Sequence, residues 1–93
     1  MSRYLIETSH TARECVWALR QLVHHHPEAA TEFEWGCHGG VHTGWSIVEA
    51  EHRFAAIEVV PRVLRPNTRI VQLNYFTEDE IMAFHEGELV ANG

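Results

Sequence analysis

The segment Trp35-Gly36-Cys37-His38-Gly39-Gly40-Val41-His42-Thr43-Gly44-Trp45 constrains the fold more than any other part of the chain. It separates two alternating apolar runs and holds four of the six glycines. Gly reaches backbone conformations closed to other residues, so Gly39-Gly40 between two such runs predicts a reversing turn between antiparallel strands. The same segment carries Cys37, His38 and His42, side chains suited to binding metal or moving protons.

The remaining elements follow from patterning. Tyr4 to Thr8 alternates as a first strand, with Tyr4, Ile6 and Thr8 on one side and Leu5 and Glu7 on the other. Thr11-Ala12-Arg13-Glu14 has capping-box form and opens a helix. Ala12, Cys15, Val16, Leu19, Leu22 and Val23 share its apolar arc, and Trp17 projects from the opposite side. His24-His25-His26 ends this helix and Pro27 prevents its continuation. Thr31 to Cys37 reads as the second strand and Trp45 to Ala50 as the third. A helix from Glu51 to about Val60 follows, ended by Pro61. Arg69 to Phe76 reads as the fourth strand. Thr77-Glu78-Asp79-Glu80 caps a short tail helix bearing Ile81 and Phe84, and residues 86–93 are expected to fray.

The order β-α-β-β-α-β plus a tail helix predicts one α+β domain over residues 1–93, with a ferredoxin-like four-stranded antiparallel sheet and two helices on one face. In architecture, over nearly its whole length, the chain resembles the dimeric α+β-barrel superfamily. That resemblance implies a homodimer whose sheets pair and enclose a cavity. The superfamily includes cofactor-independent monooxygenases, isomerases, heme-handling enzymes and metal-binding proteins, and no motif here selects among them. A single core is thin at 93 residues, which also favours a second subunit.

Composition narrows the partners. The formal charge is −6, with seven arginines and no lysine, which argues against nucleic acid and against an anionic membrane surface. No apolar run approaches the roughly 20 residues of a membrane span, and no signal-like core opens the chain. A cytoplasmic location is expected, with Cys15 and Cys37 as free thiols.

Topology concentrates the chemistry. The end of the first strand, carrying His10, is expected at the same sheet edge as the hairpin bearing Cys37, His38 and His42. His24, His25, His26 and His52 fall at the other end. The helix-covered face is expected to hold Tyr4, Ile6, Phe33, Trp35, Val48, Val71, Leu73 and Tyr75. The other face would hold Glu7, Glu34, His38, Glu49, Gln72 and Asn74, and a partner subunit would close it into a pocket. The leading expectation is cofactor-independent proton-transfer or isomerase chemistry by Glu7, Glu34, His38 and His42 on a small molecule bound by Trp45, Glu49, Gln72 and Asn74. Its competitor is a solvated face or a polar dimer interface.

A second expectation is a transition-metal site for Zn, Ni or Cu formed by His10, Cys37 and His42. Against it stands Cys37 as a small core residue beside Phe33 and Trp35. A third assignment, Cys37 as a nucleophile activated by His38 or His42, needs a bulge at Gly36 or Gly39, because adjacent strand residues face opposite ways. Trp17 points either to a non-catalytic interaction module or to cover by Ile81 and Phe84 of the tail helix.

Overall fold

A computed structural model describes residues 1–84, so the expected fraying of residues 86–93 lies outside the described residues. The chain is α+β. Strands β1 (Ser2–Ser9), β2 (Glu34–Trp35), β3 (Thr43–Ala50) and β4 (Thr68–Leu73) form one antiparallel sheet in the order β2-β3-β1-β4. Helix α1 (Cys15–His25) connects β1 to a single-turn α2 (Ala29–Glu32), which leads into β2. A short α3 (Arg53–Ala56) and two 3-10 segments (Ile57–Val59 and Arg62–Asn67) connect β3 to β4, and α4 (Glu78–Ala83) follows the sheet.

The core lies between one sheet face and these connections. Tyr4, Ile6, Phe33, Ala50 and Ile70 from the sheet side pack with Ala18, Leu22, Ala29, Ala56, Val60 and Leu64. Ile6, Leu22 and Val60 are the largest fully buried side chains. The alternation of β1 is therefore realised as expected. Cβ atoms on neighbouring strands share a face when their residues are in register, so β1 dictates the phase of its partners.

That register corrects the fourth strand. Thr8 pairs with Thr68, Ile6 with Ile70 and Tyr4 with Gln72, which turns Val71 and Leu73 to the open face with Leu5 and Arg3. The Thr68 hydroxyl donates to the Leu64 carbonyl at 2.7 Å and lies 2.9 Å from the Thr8 hydroxyl, fixing this phase. Hydrophobic alternation alone cannot supply it, because residues 70, 71 and 73 are all aliphatic. Gln72 consequently belongs to the helix-covered side, where its Nε2 donates to Ser2 Oγ at 3.2 Å. Asn74 and Tyr75 lie beyond the end of β4 and are exposed.

The second strand is also shorter than its pattern suggests. Residues 29–32 coil into α2 and Phe33 turns into the core, leaving only Glu34 and Trp35 in the sheet, opposite Trp45 and Gly44. The second helix breaks up early, since Ile57–Val59 is already 3-10 before Pro61. His52 caps α3, its Nδ1 accepting from the Ala55 amide at 3.2 Å. On α1 the buried side is Ala18 and Leu22, whereas Val16 and Val23 are exposed. The Thr11–Glu14 reciprocal pair forms across a turn, and the helix itself begins at Cys15. Thr77 and Glu80 make a full capping box for α4. Phe84 packs edge-on against Phe76, and Trp17 and Ile81 are both about half exposed, so the tail helix does not bury Trp17.

Candidate metal centre

Four side chains converge at one end of the helix-covered face. His10 follows β1, Cys15 opens α1, Cys37 begins a 3-10 turn (Cys37–Gly39), and His42 precedes β3. One ligand atom from each of them lies within 4.8 Å of the other three. Cys37 Sγ and His10 Nε2 are 3.5 Å apart, and the His10 and His42 ring centroids are 5.4 Å apart. All four residues are half-buried.

The backbone explains the convergence. The His10 amide donates to the His42 carbonyl at 3.0 Å, extending the β1–β3 ladder one step beyond the strands. The Gly36 amide donates to the Thr43 carbonyl and the Val41 amide to the Gly36 carbonyl, each at 3.0 Å. These bonds close residues 36–43 into a compact loop that carries Cys37 at its start and His42 near its end. Gly40 makes the reversal at φ +89, a left-handed conformation natural to glycine. Cys15 arrives from the other side because the turn at Thr11–Glu14 places the first residue of α1 over the loop. Trp35, stacked on Phe33 at 5.6 Å and 6.0 Å from the His10 ring, forms the inner wall.

The electrostatics favour the ligating form at His10 and oppose it at Cys37. Burial pulls the His10 imidazole below its usual pKa, neighbouring His42 lowers it further, and Glu14 opposes both. A neutral imidazole is the ligating form. Burial pushes the Cys37 thiol up, hydrogen bonding and charge at Cys15 add to this, and the hydrogen bond to its own backbone opposes it. His42 Nδ1 is buried with no hydrogen-bond partner among the described residues. A buried polar atom without a partner costs about 1–3 kcal/mol, and coordination would satisfy it.

The sequence placed His10, Cys37 and His42 at one sheet edge, and the geometry brings them together. It also adds Cys15, which the apolar arc of α1 had absorbed. The available signal was spacing: His10 and Cys15 are five apart, Cys37 and His42 likewise, which makes two donor pairs flanking turns. Cys37 belongs to a 3-10 turn rather than a strand, so strand alternation does not bury it in the core. His38, its neighbour, is exposed.

The other expected site residues are elsewhere. Glu7, Glu34, Trp45 and Glu49 share the open sheet face, as their register requires. Glu7 is engaged by Arg69, whose Nη2 donates to its carboxylate at 3.1 Å. Trp45, Glu34 and Glu49 line a groove of about 630 Å³ at the rim of that face. Gln72 and Asn74 do not join them. The proposed acid/base set is thus divided, with Glu7 and Glu34 on the open face, His42 in the Cys/His cluster and His38 in solvent. No helix among the described residues is long and apolar enough to cross a membrane.

No family model matches the chain, and no curated protein or solved structure matches it significantly.

Proposed function

We propose that this chain binds a transition metal ion, zinc foremost, through His10, Cys15, Cys37 and His42, and that the ion braces the fold. The observation that carries this is the approach of two sulfur and two nitrogen donors from four separate positions to within 4.8 Å of one another. With Zn–S near 2.3 Å and Zn–N near 2.0–2.1 Å, a tetrahedron has edges of about 3.3–3.8 Å, and small side-chain rotations would close the cluster to that size. The 3.5 Å separation of Cys37 Sγ and His10 Nε2 already has this length. A Cys₂His₂ donor set selects zinc over ions that prefer square-planar or all-oxygen sites. Four protein ligands leave no open position, which suits a structural ion better than a catalytic one. The core also gains from one, because a small domain with few large, fully buried side chains among its described residues benefits from a staple.

The strand order β2-β3-β1-β4, with one helical crossover after β1 and another after β3, supports the ferredoxin-like assignment of the scaffold. Proton-transfer chemistry draws less support, since its residues are dispersed and Glu7 is paired with Arg69.

The test is elemental analysis of untagged protein purified without a metal column, followed by titration with Zn²⁺ against a chromophoric chelator. One equivalent of tightly held zinc is expected. Co²⁺ is expected to give the intense visible absorption of a tetrahedral site with sulfur-to-metal charge transfer in the near ultraviolet. Absence of binding at micromolar zinc, or binding that survives alanine at both cysteines, would overturn the proposal.

A further inference from the structure

We propose that the outer edge of β3 binds an extended, basic peptide segment as an added strand. β1 pairs with β3 along its whole length, from Ser2 opposite Ala50 to Ser9 opposite Thr43. On the other side β2 covers only Gly44 and Trp45. From Ser46 to Ala50 that edge has no strand partner among the described residues.

The direction of the backbone groups follows from two hydrogen bonds. The Thr43 carbonyl accepts from Gly36 on the β2 side, and the His42 carbonyl accepts from His10 on the β1 side. Alternation along an antiparallel strand then aims the N–H and C=O of Trp45, Ile47 and Glu49 outward. β2 meets those of Trp45. The two donors and two acceptors of Ile47 and Glu49 are left in the spacing that one further strand requires.

A groove of about 630 Å³ lies over this edge, lined by Leu5, Glu32, Glu34, Trp45, Ile47 and Glu49 together with Ser46 and Val48. Its floor is apolar: Ile47 is 51% exposed, with Trp45 and Leu5 half-buried beside it. Its rim is acidic, and no arginine lines it. Neither Glu34 nor Glu49 has an ion-pair partner among the described residues. Arg3, the cross-strand neighbour of Glu49, instead lays its guanidinium 5.6 Å from the centre of the Tyr75 ring.

Charge selects the occupant. A second copy added edge to edge would set the Glu34–Glu49 rim against itself, whereas a basic segment complements it. In the register of an added antiparallel strand, a residue opposite Ile47 places its side chain on the open face beside Ile47. The residue two positions earlier reaches Glu49. The place opposite Trp45 is already taken by Glu34 of β2, so the segment leaves the edge there, with the residue two positions later set beside the Glu34 carboxylate. The fitting pattern is a basic residue, a spacer, an apolar residue, a spacer and a second basic residue.

The test uses the ¹⁵N-labelled full chain and the peptide acetyl-Lys-Thr-Val-Thr-Lys-amide. Slowed hydrogen exchange at the Ile47 and Glu49 amides is expected on saturation. Peptides with Glu at both ends, or with Pro in place of Val, are expected to bind at least about tenfold more weakly, a difference of about 1.4 kcal/mol. Ile47→Pro removes the outward N–H and is expected to abolish binding. Glu49→Lys, a surface change that leaves the backbone intact, is expected to shift preference toward the Glu-flanked peptide. Equal binding of all three peptides overturns the proposal. So does protection of those amides in the free chain, or a sedimenting dimer that protects them.

Discussion

His10 and Cys37 are 27 residues apart in the chain, yet Nε2 and Sγ meet at 3.5 Å. The contact exists because β1 and β3 are neighbours in the sheet, and because the loop after β2 folds back on the point where β1 ends. Cys15 and His42 complete the group from the start of α1 and the start of β3. A metal there would tie together the two longest strands, the longest described helix and the hairpin loop.

Each cysteine is therefore expected to be individually necessary. Cys37→Ser and Cys15→Ser should each weaken zinc binding by more than about 100-fold, since loss even of residues supporting metal ligands costs 10–100-fold. Competition titration with a chromophoric chelator reads this directly. If Cys15→Ser binds zinc as tightly as the parent, the site has three protein ligands, and α1 is not fastened by the ion.

Zinc is expected to stabilise the fold, by an amount that grows with the logarithm of free zinc above its dissociation constant. At free zinc 100 times the dissociation constant, linkage gives about 2.7 kcal/mol. For a domain of this size that is a rise in melting temperature of roughly 10–20 °C. Thermal unfolding followed by circular dichroism, with zinc and with chelator, measures it. An unchanged midpoint at saturating zinc would mean that the ion binds folded and unfolded chains alike.

Binding is expected to strengthen as pH rises. The Cys37 thiol is held above its ordinary pKa by burial, so in the metal-free chain it is protonated at neutral pH and must lose its proton to ligate. His10, held below its ordinary value by burial, is already neutral there and loses none. At least one proton is thus released, and apparent affinity should rise by at least about tenfold per pH unit between pH 6.5 and 7.5. Titration in weakly buffered solution with an indicator dye counts the protons. A flat profile would exclude Cys37 as a thiolate ligand.

How much of this was legible in the sequence depended on whether a local rule or a register decided the outcome. His10, Cys37 and His42 were placed at one edge by chain order alone, because the first strand must end beside the hairpin of the next two. Cys15 was concealed by its helix. On an apolar arc a cysteine is indistinguishable from core, and only the start of α1 at that residue turns it toward the loop. Gln72 failed for a different reason. Its face is set by pairing with Tyr4 across the sheet, and residues 70, 71 and 73 offered two hydrophobic phases of similar strength. The brevity of β2 was invisible too, since α2 and the inward turn of Phe33 are tertiary choices that override strand alternation.

The open face is expected to be independent of the metal centre. Glu7→Gln breaks the pair with Arg69, whose side chain is 69% exposed, and exposed pairs contribute about 0–1 kcal/mol. Denaturant unfolding should therefore move by less than about 1 kcal/mol, with zinc affinity unchanged. A large loss of zinc binding in this variant would show that the two faces are coupled through β1.

Gly44 offers the sharpest test of the wall behind the cluster. A Cβ there would collide with the Trp35 indole, with the ring atom Cη2 at 2.8 Å and others closer still. The ring lies across Gly44 because β2 pairs Trp35 with that residue, and it is stacked on Phe33 and near His10. Gly44→Ala leaves three outcomes for the ring: to tilt, to leave Phe33, or to press on His10. Each disturbs the packing, and overpacking of this kind costs about 1–3 kcal/mol. Denaturant unfolding should show that loss, and zinc affinity should fall with it if Trp35 positions His10. Gly39→Ala is the matched control, because a Cβ at Gly39 meets nothing within 4 Å. Equal stability and zinc affinity in the two variants would mean that the indole is free to move, and that the loop alone holds the donors in place.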